Sequence, residues 1–170
     1  MIGNWQMPPM SVPQRFTAYA CAYLHAATGM CEDMDGNPDQ YKFPDASVVL
    51  LLAAHSVELF LKGAILRLNE SFDIITHCLD KLHREYDRLY PDPRFRWEIP
   101  FGTEYAGIPY HEALALAKNE VPPSIRFRYP TNGARMAWSE IHGFTPRLFL
   151  HTLNQLKADY VRIEGKFRDA

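Results

Sequence analysis

The sequence contains 170 residues, of which 47% are hydrophobic and 22% are charged. These values predict a single globular domain over residues 1–170 and exclude an intrinsically disordered chain, which would need fewer apolar and more charged residues. The formal net charge of −2 gives the chain no overall positive field. A general binder of nucleic-acid duplexes is therefore disfavoured, and any contact with nucleic acid must use a local basic patch.

The cysteines and the N-terminal residues indicate the compartment. Cys21, Cys31 and Cys78 are odd in number and form no CxxC pair, which is typical of a reducing environment, so we expect a cytoplasmic protein. The N-terminal residues contain no basic segment leading into a long apolar run, and the most apolar stretch is interrupted by His55 and Glu58. We therefore expect neither an export signal nor membrane contact.

The first half of the chain predicts two helices. Apolar residues recur at intervals of three and four from Phe16 to Ala27, which indicates one helical face. Residues 31–44 are rich in turn formers and acids and predict a loop. Asp45 is expected to cap a second helix, whose run over residues 47–68 is apolar on most sides. A helix this apolar is expected at the centre of a bundle.

The second half predicts further helices separated by irregular segments. Leucine spacing indicates a third helix over about residues 75–89, followed by a long aromatic and proline-rich loop over residues 91–109. A short helix is predicted over residues 111–120. After a second irregular stretch, Thr145 is expected to cap the last helix, with Pro146 at its first position.

The predicted fold is all-α: an up-and-down bundle of four to five helices with a long irregular insertion between the third and fourth helices. Its predicted core is formed by apolar side chains on the helical stripes. These are Leu51, Leu52, Leu59, Leu66, Leu82, Phe149, Leu153 and Leu156. Leu148 is also expected to point inward.

Three short motifs occur in a fixed order along the chain. They are His55-Ser-Val-Glu58-Leu-Phe-Leu-Lys62, His77-Cys-Leu79-Asp-Lys-Leu82 and Arg128-Tyr129-Pro130. Over residues 46–130 the chain thereby resembles HEPN domains. In that family an early helix carries an H-x-x-E-x-x-x-K-like pattern, a later helix opens with His followed by spaced leucines, and an R-Y-P tripeptide precedes the last helix.

The resemblance implies a helical bundle that forms a homodimer. Members of the family include RNA-cleaving toxins, partners of nucleotidyltransferases and domains thought to bind nucleotides. It thus implies a nucleotide or single-stranded RNA as ligand, a nucleotidyltransferase-type protein partner, and a role in toxin–antitoxin or defence systems. Catalytic members carry an Arg, four to six intervening residues and a His, a spacing that Arg135 and His142 match.

Cleavage of RNA by Arg135 and His142 would need no metal and no cofactor. His142 would act as general acid or base at a ribose 2′-hydroxyl, and Arg135 would stabilise the developing negative charge. Gly133 and Gly143 flank the pair and predict turns at both ends. Because extended backbone over this span would direct the two side chains to opposite faces, we expect nuclease activity to be weak or absent.

His55, Glu58 and Lys62 are spaced to share one side of the second helix. They could form the charged floor of a ligand site, with Lys62 facing phosphate, or a buried polar network whose charges need partners. We favour the network, because structural ion pairs resemble sites in this way. His77 either contacts a ligand or bonds an adjacent turn. His77 and His83 lie on different helical faces, so no metal site is predicted.

Arg126-Phe127-Arg128-Tyr129 alternates arginines with aromatic residues. In extended backbone the guanidinium groups would lie on one side and the rings on the other. Such a surface could bind phosphates while a ring stacks on a base. The alternative is that the rings cover the bundle for their buried area while the arginines pair with carboxylates.

These observations predict a domain that binds a nucleotide, an RNA segment or a partner protein on the face near Lys62, Arg126 and Arg128. The alternative is a non-catalytic homodimeric scaffold, in which the polar groups serve packing and assembly. The direction of the basic side chains distinguishes the two. Convergence on an open positive pocket favours the binder, whereas pairing with carboxylates favours the scaffold.

Overall fold

The computed structural model describes residues 9–101, 126–131, 134–135 and 144–168. In these ranges the chain is a helical bundle, as predicted. Its helices are α1 (Val12–Gly36), α2 (Phe43–Leu68), α3 (Leu79–Leu89) and α4 (Pro146–Arg168), and two single 3-10 turns occur at Pro38–Gln40 and Pro93–Phe95. The short helix predicted over residues 111–120 lies outside the described residues.

Helix α1 begins with a reciprocal cap and runs further than predicted. The Ser11 backbone N–H donates to Gln14 Oε1 at 2.9 Å, and the Gln14 N–H donates to Ser11 Oγ, which satisfies two otherwise free backbone donors. The expectation of a loop from residue 31 was wrong, because Cys31 and Met34 are buried on α1. Their packing outweighs the turn-forming residues around them.

Helix α2 begins at Phe43, three residues earlier than a cap at Asp45 predicts. Asp45 does not occupy the capping position. It lies in the first turn, where its Oδ2 accepts the Lys42 backbone N–H at 2.8 Å. Pro44 lies within that same first turn, where its missing N–H costs no helical hydrogen bond. The carboxylate therefore still stabilises this end of the helix.

Helix α3 is shorter than predicted and α4 starts where predicted. Ile75 is exposed and precedes α3, which starts only at Leu79. Pro146 begins α4, and the Thr145 carbonyl oxygen accepts the Leu148 and Phe149 backbone N–H groups. Leu148, however, is 72% exposed, so the expectation that it points inward was wrong.

The core lies between α1, α2 and α4, with α3 packed on α2. Helix α1 packs antiparallel to both neighbours: Ser56 and Gly63 of α2 lie beside Ala20 and Pro13. Likewise, Pro146 and Glu164 of α4 lie beside Cys31 and Thr17. Of the predicted core residues, four are buried, namely Leu66, Leu82, Leu153 and Leu156. Leu52, Leu59 and Phe149 are partly buried against the core, and Leu51 is half-buried.

The segment after α3 closes one side of the bundle with aromatic rings. Tyr86 donates its hydroxyl to the Phe95 carbonyl oxygen at 2.7 Å. The Arg162 guanidinium of α4 donates to the carbonyl oxygens of Arg94 and Arg96. Trp97 packs edge-on against Phe60 in α2, with ring centroids 5.5 Å apart. These bonds fix the backbone, and the partly buried rings of Phe95 and Trp97 pack against the core.

Among the described helices, α2 is long and apolar enough to cross a membrane by length and composition. Its most apolar window has a mean hydropathy of 1.8, and 67% of that window is buried inside the bundle. The central helix of a bundle gives the same pattern, because it is covered by its neighbours. The expectation of no membrane contact stays a prediction.

Candidate functional site

Four residues singled out in the sequence meet in one cluster on α2. Glu58 Oε1 lies 2.8 Å from Lys62 Nζ and 3.0 Å from His77 Nδ1, and Glu58 Oε2 lies 3.9 Å from His55 Nδ1. His55, Glu58 and Lys62 share a face because they are three and four residues apart. The return of the chain after α2 brings His77 to the same carboxylate. We call this set the Glu58 cluster.

The carboxyl group of Glu58 is ionised in this cluster. Burial acts to raise its pKa, but the neighbouring His55 and Lys62 side chains, with a smaller effect of His77, lower the pKa to about 2. His55 is too distant for a direct hydrogen bond and acts as a nearby polar group. Glu58 is therefore a buried acceptor that accepts hydrogen bonds and donates none.

The ionised carboxylate fixes the orientation of the His77 ring. Because Glu58 cannot donate, the His77 nitrogen facing it, Nδ1, must carry the proton. The His77 side chain is 60% exposed, and Nε2 lies on the opposite edge of the ring. In neutral His77 this nitrogen is an acceptor, and in the imidazolium it is a second donor.

His55 occupies the other rim of the cluster. Its side chain is 28% exposed and its ring meets Tyr23 of α1 edge-on, with centroids 4.7 Å apart. This contact holds the imidazole between α1 and the carboxylate. His55 therefore limits access to Glu58 from the side of α1.

Lys62 does not face solvent. Its side chain is 5% exposed, and the ammonium group is neutralised by Glu58. The geometry at this residue corresponds to the buried network and not to a lysine facing phosphate. A buried ammonium needs such a carboxylate partner, because burial without one costs several kcal/mol.

The two arginine candidates differ in their exposure. Arg126 is half-buried and Arg128 is exposed, and the ring of Phe127 between them meets Phe101 with centroids 6.3 Å apart. Because Lys62 is buried, it shares no open pocket with these arginines. A binding face near Lys62, Arg126 and Arg128 stays a prediction, and Lys62 itself is buried within it rather than exposed.

The proposed catalytic pair is only partly described. Arg135 is exposed and has a positive φ of 60°, a left-handed conformation typical of turns for residues other than glycine. This agrees with a turn near the start of the segment. His142 lies outside the described residues, so its distance from Arg135 stays untested.

A second polar cluster was missed from the sequence. Arg67 Nη2 donates to Glu164 Oε1 and Oε2 at 2.8 and 2.9 Å, and the Thr17 hydroxyl lies 3.2 Å from Glu164 Oε1. The Arg67 guanidinium also lies 4.5 Å from the Phe167 ring centroid. The sequence does contain an indication of this cluster. Ser56, Gly63 and Arg67 are small or polar residues that share one face of the otherwise apolar helix α2.

No group of three His, Cys, Asp or Glu side chains that could hold a metal ion occurs in the part of the chain that the structure describes. No protein-family model matches the chain, and comparisons with curated proteins and with solved structures return no significant match. The functional proposal is therefore based on the chemistry of the Glu58 cluster.

Proposed function

We propose that this chain is a HEPN-like helical domain that binds the phosphate of a nucleotide or of single-stranded RNA at the exposed edge of His77. The observation that supports the proposal is the contact between buried, ionised Glu58 and Nδ1 of His77. This contact occupies Nδ1, so Nε2 is the nitrogen of this largely exposed ring that remains for a ligand. The imidazolium form would then join Glu58 on one edge to a phosphate oxygen on the other.

The Glu58 cluster orients the His77 ring but adds little net charge to the site. Lys62 balances the charge of Glu58, so the exposed His77 contributes the free donor. A ring held by a carboxylate loses little conformational freedom on binding, because its position is already fixed. Arg128, which is exposed, would contribute a second positive charge to an extended RNA ligand.

Titration calorimetry with ATP and with a short oligouridylate tests this proposal and separates the two ligand sources. We expect His77→Gln to weaken binding of the preferred ligand about tenfold, the effect of losing one charged hydrogen bond. His151→Gln, which alters an exposed histidine on α4, is the matched control and should bind as the wild type does. Equal affinity of both variants would refute the proposal.

A non-catalytic homodimeric scaffold is the second candidate function, and the buried state of Lys62 favours it. Tyr19 of α1 and Val48 of α2 are 50% and 43% exposed, and they flank the contact between Tyr23 and His55. A second copy covering this face would bury apolar area. Light scattering at micromolar concentration would then report twice the 19.6 kDa chain mass, and a monomer over a hundredfold concentration range would exclude it.

We propose binding without efficient cleavage. The test is hydrolysis of single-stranded RNA in EDTA by the wild type, Arg135→Ala and His142→Ala. We expect the same trace activity in all three proteins. Strong wild-type activity that both substitutions abolish would instead assign a metal-independent endoribonuclease to this pair.

A further inference from the structure

A large cavity lies between α1 and α4, on a different part of the bundle from the Glu58 cluster. Its volume is about 790 Å³, within the range of sites that bind small molecules. One wall comes from α1, with Ala18, Cys21 and Leu24, and the other from α4, with Lys157 and Val161. Neither the Glu58 cluster nor the arginine-rich segment contributes to it.

The charges that line the cavity are mostly positive. Arg67, Lys157 and Arg168 are cationic, and Glu164 is the lining carboxylate. Glu164 is already neutralised by Arg67. Neither Lys157 nor Arg168 forms an ion pair with a residue in the described ranges. The cavity therefore has an excess of positive charge that favours an anion.

The two ends of the cavity are not equivalent. Antiparallel packing sets Thr17 of α1 beside Glu164 of α4. Leu24 lies seven residues after Thr17, and Lys157 lies seven residues before Glu164. Because the two helices are antiparallel, Leu24 is therefore level with Lys157. His25, adjacent to Leu24, also lines this end. Lys157 is thus about two helical turns from Glu164, and an anionic group beside Lys157 avoids that carboxylate.

The apolar part of the lining is mainly aliphatic. Leu24, Ala18, Met10 and Val161 contribute it, and Val161 is 70% exposed. Tyr160 is the lining residue with a phenol ring, and it is only 2% exposed. Apart from His25 at one end, no exposed ring of a described residue lines the cavity for a nucleobase to stack on. An alkyl chain would bury its surface against these side chains.

We propose that this cavity binds a small aliphatic anion, with its carboxylate or phosphate head beside Lys157 and its alkyl chain against Leu24, Ala18 and Val161. Lys157 provides the charge and His25 an additional polar contact at the same end. The chain would run along the groove between α1 and α4 toward Met10. This ligand differs from the nucleotide or RNA proposed for His77.

Cys21 provides a direct readout because it lines the cavity and is exposed, whereas Cys78 is exposed elsewhere and Cys31 is buried. The probe is decanoate, added while the thiols react with N-ethylmaleimide. Modification of each cysteine is followed by peptide mass spectrometry. We expect decanoate to slow modification of Cys21 at least fivefold and to leave the rate at Cys78 unchanged.

Three comparisons decide the result. Decyl phosphate tests the other head group, and protection by either anion supports the proposal and identifies the preferred head. Decyltrimethylammonium has the same chain with a positive head and should not protect Cys21. Lys157→Gln should raise the decanoate concentration needed for protection about tenfold, whereas Lys81→Gln, which alters an exposed lysine of α3, should not. Equal protection by the cation, or no protection by either anion, would overturn the proposal.

Discussion

Helix α2 carries two ion pairs that differ in their access to water. The side chains of Glu58 and Lys62 are 3% and 5% exposed, whereas those of Arg67 and Glu164 are 22% and 21% exposed. The first pair joins two residues of one helix, and the second joins α2 to α4. The two ion pairs are therefore expected to differ in how much stability is lost when one partner is replaced and in how strongly salt weakens them.

Burial explains the difference. The Glu58 and Lys62 charges have lost nearly all of their hydration, so each depends on the other for compensation. The Arg67 and Glu164 charges retain part of their hydration, and solvent and salt weaken the attraction between them. The buried pair consequently forms a rigid support for His77. The partly exposed pair lines the cavity between α1 and α4.

Replacing Lys62 with Met should give the largest effect. The substitution leaves the Glu58 charge buried with only histidine neighbours, and we expect a loss of about 3–5 kcal/mol in the free energy of unfolding. Chemical denaturation measures it. The double variant Lys62→Met with Glu58→Leu should recover most of this loss, because neither charge is then buried. A single-variant loss below about 1 kcal/mol would contradict the buried-pair account.

Acid should weaken the fold through Glu58. Its folded-state pKa of about 2 lies below the ordinary value of 4.5. The ionised carboxylate therefore stabilises the fold above pH 4.5, and this contribution, on the order of 3 kcal/mol, is lost as pH falls toward 2. Denaturation curves across this window should show a weaker pH dependence for Glu58→Gln than for the wild type. Parallel curves would show that Glu58 does not contribute.

Gly63 lies on α2 between the two ion pairs and allows α1 to approach closely. A Cβ atom at Gly63 would lie 3.0 Å from both the Pro13 carbonyl oxygen and Thr17 Oγ1, and 3.1 Å from the Phe16 Cβ. Gly63→Ala should therefore cost about 1–3 kcal/mol. Gly29→Ala is the control, since nothing lies within 4 Å, and it should gain up to about 1 kcal/mol. Stabilisation by both substitutions would refute the close approach.

Arg67→Met should have a smaller effect than Lys62→Met. We expect a loss of about 1–2 kcal/mol, because Glu164 remains partly hydrated after its partner is removed. The loss should shrink in 1 M salt, where exposed charges are screened. The effect of Lys62→Met should change little with salt. An equal salt dependence for both variants would remove the distinction between the two pairs.

The sequence predicted the helices best where the apolar pattern is long. The run that forms α2 and the Thr145-Pro146 start of α4 are clear in sequence, and the structure contains both helices. The extension of α1 to Gly36 was missed, because burial of Cys31 is a tertiary effect. The late start of α3 was missed for a related reason: nothing in the local pattern shows that Ile75 remains exposed.

The candidate sites were predictable only where their residues are close in sequence. Spacing along one helix placed Glu58 beside Lys62. The contact of Glu58 with His77 depends on the path of the chain between α2 and α3, which spacing does not encode. Arg67 and Glu164 are 97 positions apart, so their contact follows from the packing of α4 on the bundle. Local patterns give helical faces, and tertiary packing decides which faces meet.

The proposed role of Glu58 is to orient His77 and to present its Nε2 to a ligand. Long-range proton–nitrogen NMR correlation of the imidazole, recorded where His77 is neutral, tests it most directly. The account predicts that Nδ1 carries the proton, that Glu58→Gln removes this preference, and that bound oligouridylate or ATP shifts the Nε2 resonance. A neutral His77 protonated at Nε2 in the wild type, with no shift on adding either ligand, would contradict the account.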